Sequence, residues 1–149
     1  MLLYDNLNPS KPHKFRTFSA LRATTPGAPG LLRSESLQIR NLTRGTALGT
    51  RIDVADTSQK RRTGLLRHTH LAEGEGLLIS PCEGVHTFGM KFPIDVVYVN
   101  RQRTVVKLRP DMARGRISLC LSAHSVIELP VGAIQASKTE RGDQLAFEQ

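Results

Sequence analysis

The apolar residues of this chain fall into short runs rather than long helical stripes. "LQIRNLT" (37–43) sets Leu37, Ile39 and then Leu42 between polar neighbours, a spacing near two that predicts a strand. "TRG" follows as a turn and "ALGTRIDVADT" as a second strand, so the pair predicts a hairpin. Thr57 and Ser58 carry hydroxyls that can accept from the free amides of a helix start. A short helix is therefore expected on "SQKRRTGLL", with Leu65 and Leu66 as its apolar end. Beyond the Gly-punctuated loop "AEGEG", strands are predicted at "LLIS" and at the β-branched and aromatic "DVVYVN". The latter turns through "RQ" into "TVVKLRP", where Pro110, lacking a backbone N–H, is expected to stop the ladder. "HSVIELP" and "DQLAFEQ" supply two more strands, with turns at Gly132 and Gly142.

Short strands at near-regular spacing around one short helix predict a mainly β domain, a small sandwich or partly open barrel. The absence of a strand–helix–strand rhythm argues against a doubly wound nucleotide-binding sheet. The pattern begins only near residue 37. Residues 1–36 contain Pro9, Pro12, Pro26 and Pro29, the breaker cluster "TTPGAPG" and no sustained apolar period. They predict a disordered N-terminal tail ahead of a single β-rich domain over 37–149.

Charge sharpens that division. The net charge is +8, and residues 1–34 hold Lys11, Lys14, Arg16, Arg22 and Arg33 against Asp5, which is half of it. A basic tail ahead of a mildly basic domain concerns solubility first and an anionic partner only second. "MLLY" is too short for a signal-peptide core, so a cytoplasmic location is the expectation. No apolar run approaches the ~20 residues of a membrane-spanning helix. Cys82 and Cys120 form no Cys-x-x-Cys pair, and free thiols are expected rather than a disulfide.

The stretch with most chemistry is "HTFGMKFPID" (86–95). If residues 86–90 are extended, His86, Phe88 and Met90 share one face, and Gly89 lets another chain approach the backbone. Pro93 then breaks the ladder and Asp95 opens the next strand. Polar groups at both ends of an apolar segment resemble the rim of a binding site. Each residue also has an ordinary structural role. Phe88 and Met90 can be core filler, and Lys91 a solvated charge. Asp95 can accept backbone N–H groups at a bulge or pair with Arg61 or Lys91.

Polar company from elsewhere strengthens the case. Arg61 comes from the short helix and Asp143 from a turn. Glu128 sits between Ile127 and Leu129, so alternation puts it on the opposite face from both. It is either solvent-facing or a buried acid that needs a partner such as Arg61 or His86.

Other chemistries fit poorly. His68, His70, Glu83 and His86 match no metal-ligand spacing, and no cofactor motif, Walker loop or nucleophile elbow is present. In an extended segment Cys82 and His86 would lie roughly 13 Å apart, too far for thiol activation.

The segment "RTGLLRHTHLAEGEGLLISPCEGVHTFGMKFPIDVVYVNRQRTVVKL", with the later "VIELPVG" and "RGDQLAF", resembles a family catalogued as domain of unknown function 192, or uncharacterised protein family 0127. The resemblance spans roughly residues 46–148. It rests on Arg61, Gly64, Leu65, Phe88, Met90, Lys91, Pro93, Asp95, Glu128, Gly132, Gly142 and Asp143. It implies a small, mostly β fold with one short helix and no particular activity. His68 stands where relatives often carry a second arginine, which leaves an anion clamp of two arginines incomplete here.

The leading expectation is a binding module whose site is drawn from Arg61, His86, Met90, Lys91, Asp95 and Glu128, taking a small polar ligand or a partner's peptide. A hydrolase with His86 as general base, oriented by Asp95 or Glu128, is the alternative. A third reading is non-specific nucleic-acid binding through the basic surface and tail.

Overall fold

The computed structural model describes residues 36–149. The expected basic tail lies outside the described residues but for Ser36. The hairpin predicted first is present as β1 (Leu37–Asn41) and β2 (Thr46–Ala55), followed by α1 (Ser58–Thr63) and β3 (Glu75–Ile79). Thr57 caps α1, its hydroxyl accepting from the Lys60 amide at 3.2 Å. Then come β4 (Gly84–His86), β5 (Ile94–Val99), β6 (Val105–Met112), β7 (Ile117–Leu119), β8 (Ser125–Leu129), α2 (Ala133–Ser137) and β9 (Leu145–Glu148).

Among the described residues seven strands form one sheet in the order β6-β5-β8-β3-β2-β1-β9, and β4 pairs with β7 in a separate two-stranded ribbon. Every pairing is antiparallel except β2 with β3, which α1 and its loop connect. At one end the sheet curls until its outer strands meet. Thr104, just before β6, bridges Gln144, just before β9, and the Val105 amide donates to the Asp143 carbonyl. The result is a half-barrel closed at that end, a mainly β fold as expected.

Strand alternation gives this sheet two apolar faces. The inner one gathers Ile39, Ile52, Leu78, Val97, Val99, Val105, Ile127, Leu129 and Leu145, and Ile134 of α2 packs into it. On the outer one lie Ala55, Leu77, Ile79, Val96, Tyr98 and Val126, under a cover that supplies Leu65, Cys82, Val85 and Met90. A polar cluster braces the closed end. Asp143 accepts from Asn41 at 2.8 Å and from Arg44 at 3.0 Å, and Arg44 also bridges Glu140.

Three departures from the sequence reading have clear causes. A second helix, α2, exists because its first amides are capped by a residue far away in sequence. Pro110 does not end β6. That strand is the sheet edge, and Pro110 falls where an extra residue bulges out between the pairs Ile94–Met112 and Val96–Arg109. β4 and β7, at three residues each, are too short for periodicity to reveal.

Candidate binding surface

β5 and β8 pair so that Asp95 faces Leu129 and Val96 faces Glu128. Leu129 belongs to the inner face and Val96 to the outer one, so the two carboxylates point to opposite sides of the sheet. Asp95 is 1% exposed and fully engaged by backbone. One oxygen accepts from the Asp111 amide in the β6 bulge at 2.9 Å. The other accepts from Gly132 at 3.1 Å and Ile134 at 2.9 Å, which caps α2. Asp95 therefore ties a bulge to a helix start from inside the barrel and is not brought to the group around His86.

Glu128 is 0% exposed on the outer face, flanked in register by Leu77 and Val96. Arg61 reaches toward the same layer from α1. Its guanidinium donates to the Asp56 carbonyl at 3.1 Å and the Ser58 hydroxyl at 3.0 Å. Both charges bear on Cys82. Burial pushes that thiol up to about 12, Glu128 adds to the rise and Arg61 opposes it. A thiol held protonated in this way, and donating to the Gly84 carbonyl at 3.2 Å, is no nucleophile at neutral pH. Cys82 and Cys120 are both free.

His86 ends β4, half-buried. Burial lowers its pKa, and the charge of Glu128 works in the opposite direction. Its Nδ1 is buried and has no hydrogen-bond partner among the described residues. The extended course expected for 86–90 stops at His86. The Thr87 hydroxyl donates to the Ala113 carbonyl at 2.7 Å, and Gly89 then turns the chain at φ +77°. This turn separates the two apolar residues of the motif. Met90 is buried at 5% exposure in the outer core, whereas Phe88, expected in the core, stands out at 48% with its ring 5.4 Å from that of His86. Lys91 is exposed beside it.

The sequence reading missed the partner strand of His86. In β7 the usual polarity is reversed: Ser118 points inward and is buried, while Ile117 and Leu119 face solvent at 54% and 41% exposure. Register places Ile117 beside His86 and Leu119 beside Gly84. A Cβ on Gly84 would fall 2.3 Å from the Leu119 side chain, so glycine lets Leu119 lie across the ribbon. Inside the layer, the Tyr98 hydroxyl donates to the Ser118 carbonyl at 2.9 Å and fastens the ribbon to the sheet. The one sequence signal was the alternation Ile117, Leu119, Leu121 in "ISLCL".

Arg61, Glu128 and Met90 thus share the outer layer that His86 closes and Lys91 borders, while Asp95 lies apart. Among the described residues no cluster of three or more His, Cys, Asp or Glu is placed to hold a metal ion, and no helix is long and apolar enough to cross a membrane.

A family model described as Uncharacterized ACR matches residues 39–147. Among relatives, a UPF0127 protein of Thermococcus kodakarensis is 29% identical over 114 residues, which is 73% of this chain and 72% of that protein. One of Thermococcus gammatolerans is 30% identical over 115 residues, 74% of each. Two solved structures share the fold at 17% identity. One is a protein of unknown function from Novosphingobium aromaticivorans (TM-score 0.65, covering 84% of this chain and 99% of that one). The other is a putative transcription regulator from Sinorhizobium meliloti (TM-score 0.66, 74% and 91%).

Proposed function

Because the chain belongs to the DUF192 family of uncharacterised proteins, we propose its function from its own geometry: it is a binding module that takes a segment of a partner protein on the outward face of the β4–β7 ribbon and the adjoining His86–Phe88 turn. The reversed polarity of β7 carries this reading. A strand on a protein surface ordinarily turns its apolar side inward, and here Ile117 and Leu119 face out while Ser118 is buried. Phe88 extends the same stripe, and neighbouring exposed apolar side chains of this size are a feature of contact surfaces. His86, its ring 5.4 Å from that of Phe88 and beside Ile117 in register, joins the two parts of the stripe.

A small polar ligand is the lesser reading, since Asp95 is bound up by backbone amides on the other face and Arg61, Met90 and Glu128 are buried. The same placement of Asp95 removes it as an orienter for His86 in a hydrolase.

The test is selection of a random-peptide display library on the full chain, followed by amide chemical-shift mapping of the enriched peptides. Shifts clustered at residues 84–88 and 115–119 are expected. Equal enrichment on a Phe88→Ser/Ile117→Thr variant, checked for an unchanged melting temperature, would refute the surface.

A further inference from the structure

Resting on the reading of the ribbon as a protein-contact surface, we propose that its partner is an extended acidic segment, with alternate apolar side chains on the ribbon and Asp or Glu side chains among the surrounding cations. Along a strand, side chains on one face repeat about every 7 Å. Ile117 and Leu119 show that repeat on β7, and Phe88 continues the stripe past His86. An extended peptide lying alongside presents its own alternate side chains at the same interval, which a globular surface or a helix does not.

The charge around the stripe is predominantly positive. Lys91 follows Phe88, and Arg114 and Arg116 lead into Ile117. All three are exposed, and none forms an ion pair among the described residues. A Cβ placed on Gly115, between the two arginines, would lie 3.9 Å from the Phe88 ring, so both arginine backbones flank that end of the stripe. At the far end the Lys107 ammonium donates to the Leu119 carbonyl at 2.7 Å. Segments 83–93 and 107–121 together carry Lys91, Lys107, Arg109, Arg114 and Arg116 against only Glu83 and Asp111.

That distribution decides among occupants. A second copy docked on the same face would bring these cations against their own images. A single-stranded nucleic acid would stack its bases on aromatic platforms, of which the exposed stripe offers Phe88, and a duplex held through its phosphates would leave Ile117 and Leu119 without apolar partners. An acidic strand satisfies both the apolar repeat and the charge.

The full chain is immobilised for display selection, and the most enriched peptide is synthesised and titrated by fluorescence anisotropy. Enriched peptides should be net negative with alternate apolar residues. Their affinity should fall about tenfold or more between roughly 0.05 and 0.5 M salt, because exposed charge pairs are screened. An Arg114→Glu/Arg116→Glu variant should lose at least as much, an Arg114→Gln/Arg116→Gln variant somewhat less, both with wild-type melting temperatures. Neutral or basic peptides that bind both arginine variants as well as wild type would overturn the acidic partner and leave the contact surface standing. Peptides indifferent to Phe88→Ser/Ile117→Thr would overturn both. Saturable binding to phosphatidylserine vesicles or to a DNA duplex, with no peptide enriched, would assign the cations to another partner and refute the proposal.

Discussion

Asp95 and Glu128 lie on adjacent strands one register step apart, both buried, and face opposite sides of one sheet. Inside the barrel, Asp95 finds three backbone amides that cannot move without the fold. On the outside, Glu128 stands among apolar side chains beneath a cover made of α1, β4 and β7, and its charge is felt by Cys82 and His86. Identical chemistry thus serves two ends. A carboxylate held by backbone amides is a fixed brace, whereas one held within a layer of side chains is set by residues that can be exchanged one at a time.

The largest effect should come from removing the brace. Asp95→Ala strips the Asp111, Gly132 and Ile134 amides of their acceptor in a buried setting. Unfolding by urea should show a loss on the order of 3–5 kcal/mol, since hydrogen bonds to a charged group are worth about 1.5–3 kcal/mol each and do not add fully. Hydrogen exchange should speed up first in α2 and around the β6 bulge. A loss below about 1 kcal/mol would show the amides to be met otherwise, and the contrast with Glu128 would collapse.

Glu128 should behave differently, as a member of a set. Glu128→Leu alone and Arg61→Met alone are each expected to destabilise by about 2–4 kcal/mol, because each removes one of two opposite charges that share a buried layer. The double variant should recover at least about 1 kcal/mol of the sum, as apolar replacements of a buried ionic set are often tolerated. Simple additivity would mean that the two side chains do not offset one another. An Asp95→Leu change has no such rescue partner among side chains, which makes the comparison sharp.

How much of this was legible in the sequence follows from the same contrast. Alternation through "VIELP" was enough to turn Glu128 away from Ile127 and Leu129. It could not say that the far face is covered, because the cover consists of three-residue strands and a six-residue helix joined by turns. α2 was invisible for a related reason: its cap is Asp95, 37 residues before Gly132, and no local capping signal precedes it. Phe88 and Met90 were read onto one face until Gly89, at positive φ, turned one out and the other in.

A smaller change tests how the outer layer is fastened. Tyr98→Phe removes the hydroxyl that meets the Ser118 carbonyl and leaves the ring in place. About 1 kcal/mol of stability should be lost, the usual net worth of a buried neutral hydrogen bond. Hydrogen exchange should rise in β7 and leave the inner strands β1 and β2 untouched. A uniform rise would mean that ribbon and barrel open as one unit rather than as two.

The smallest effect should appear with pH, and in separate windows for the two regions. At the closed end burial favours protonation of Asp143, but bonds from Asn41, the Glu140 amide and Arg44 outweigh it and hold its pKa below 3.8. That contribution is complete above the unfolded pKa and fades as pH falls through the lower folded one, so stability depends on it only below about pH 4, where it is lost. In the outer layer burial lowers His86 below 6.5, so the unfolded chain takes up this proton first. Stability from His86 is therefore full above about pH 6.5 and declines as pH drops below it. Proton NMR of the His86 ring should give a midpoint under 6.5. Because the charge of Glu128 works against the burial effect, Glu128→Gln should move that midpoint lower still, whereas Asp95→Asn, acting on the opposite face, should leave it in place. An equal displacement by both variants would mean that the sheet does not separate its two acids electrically, and the distinction between brace and tunable charge would fail.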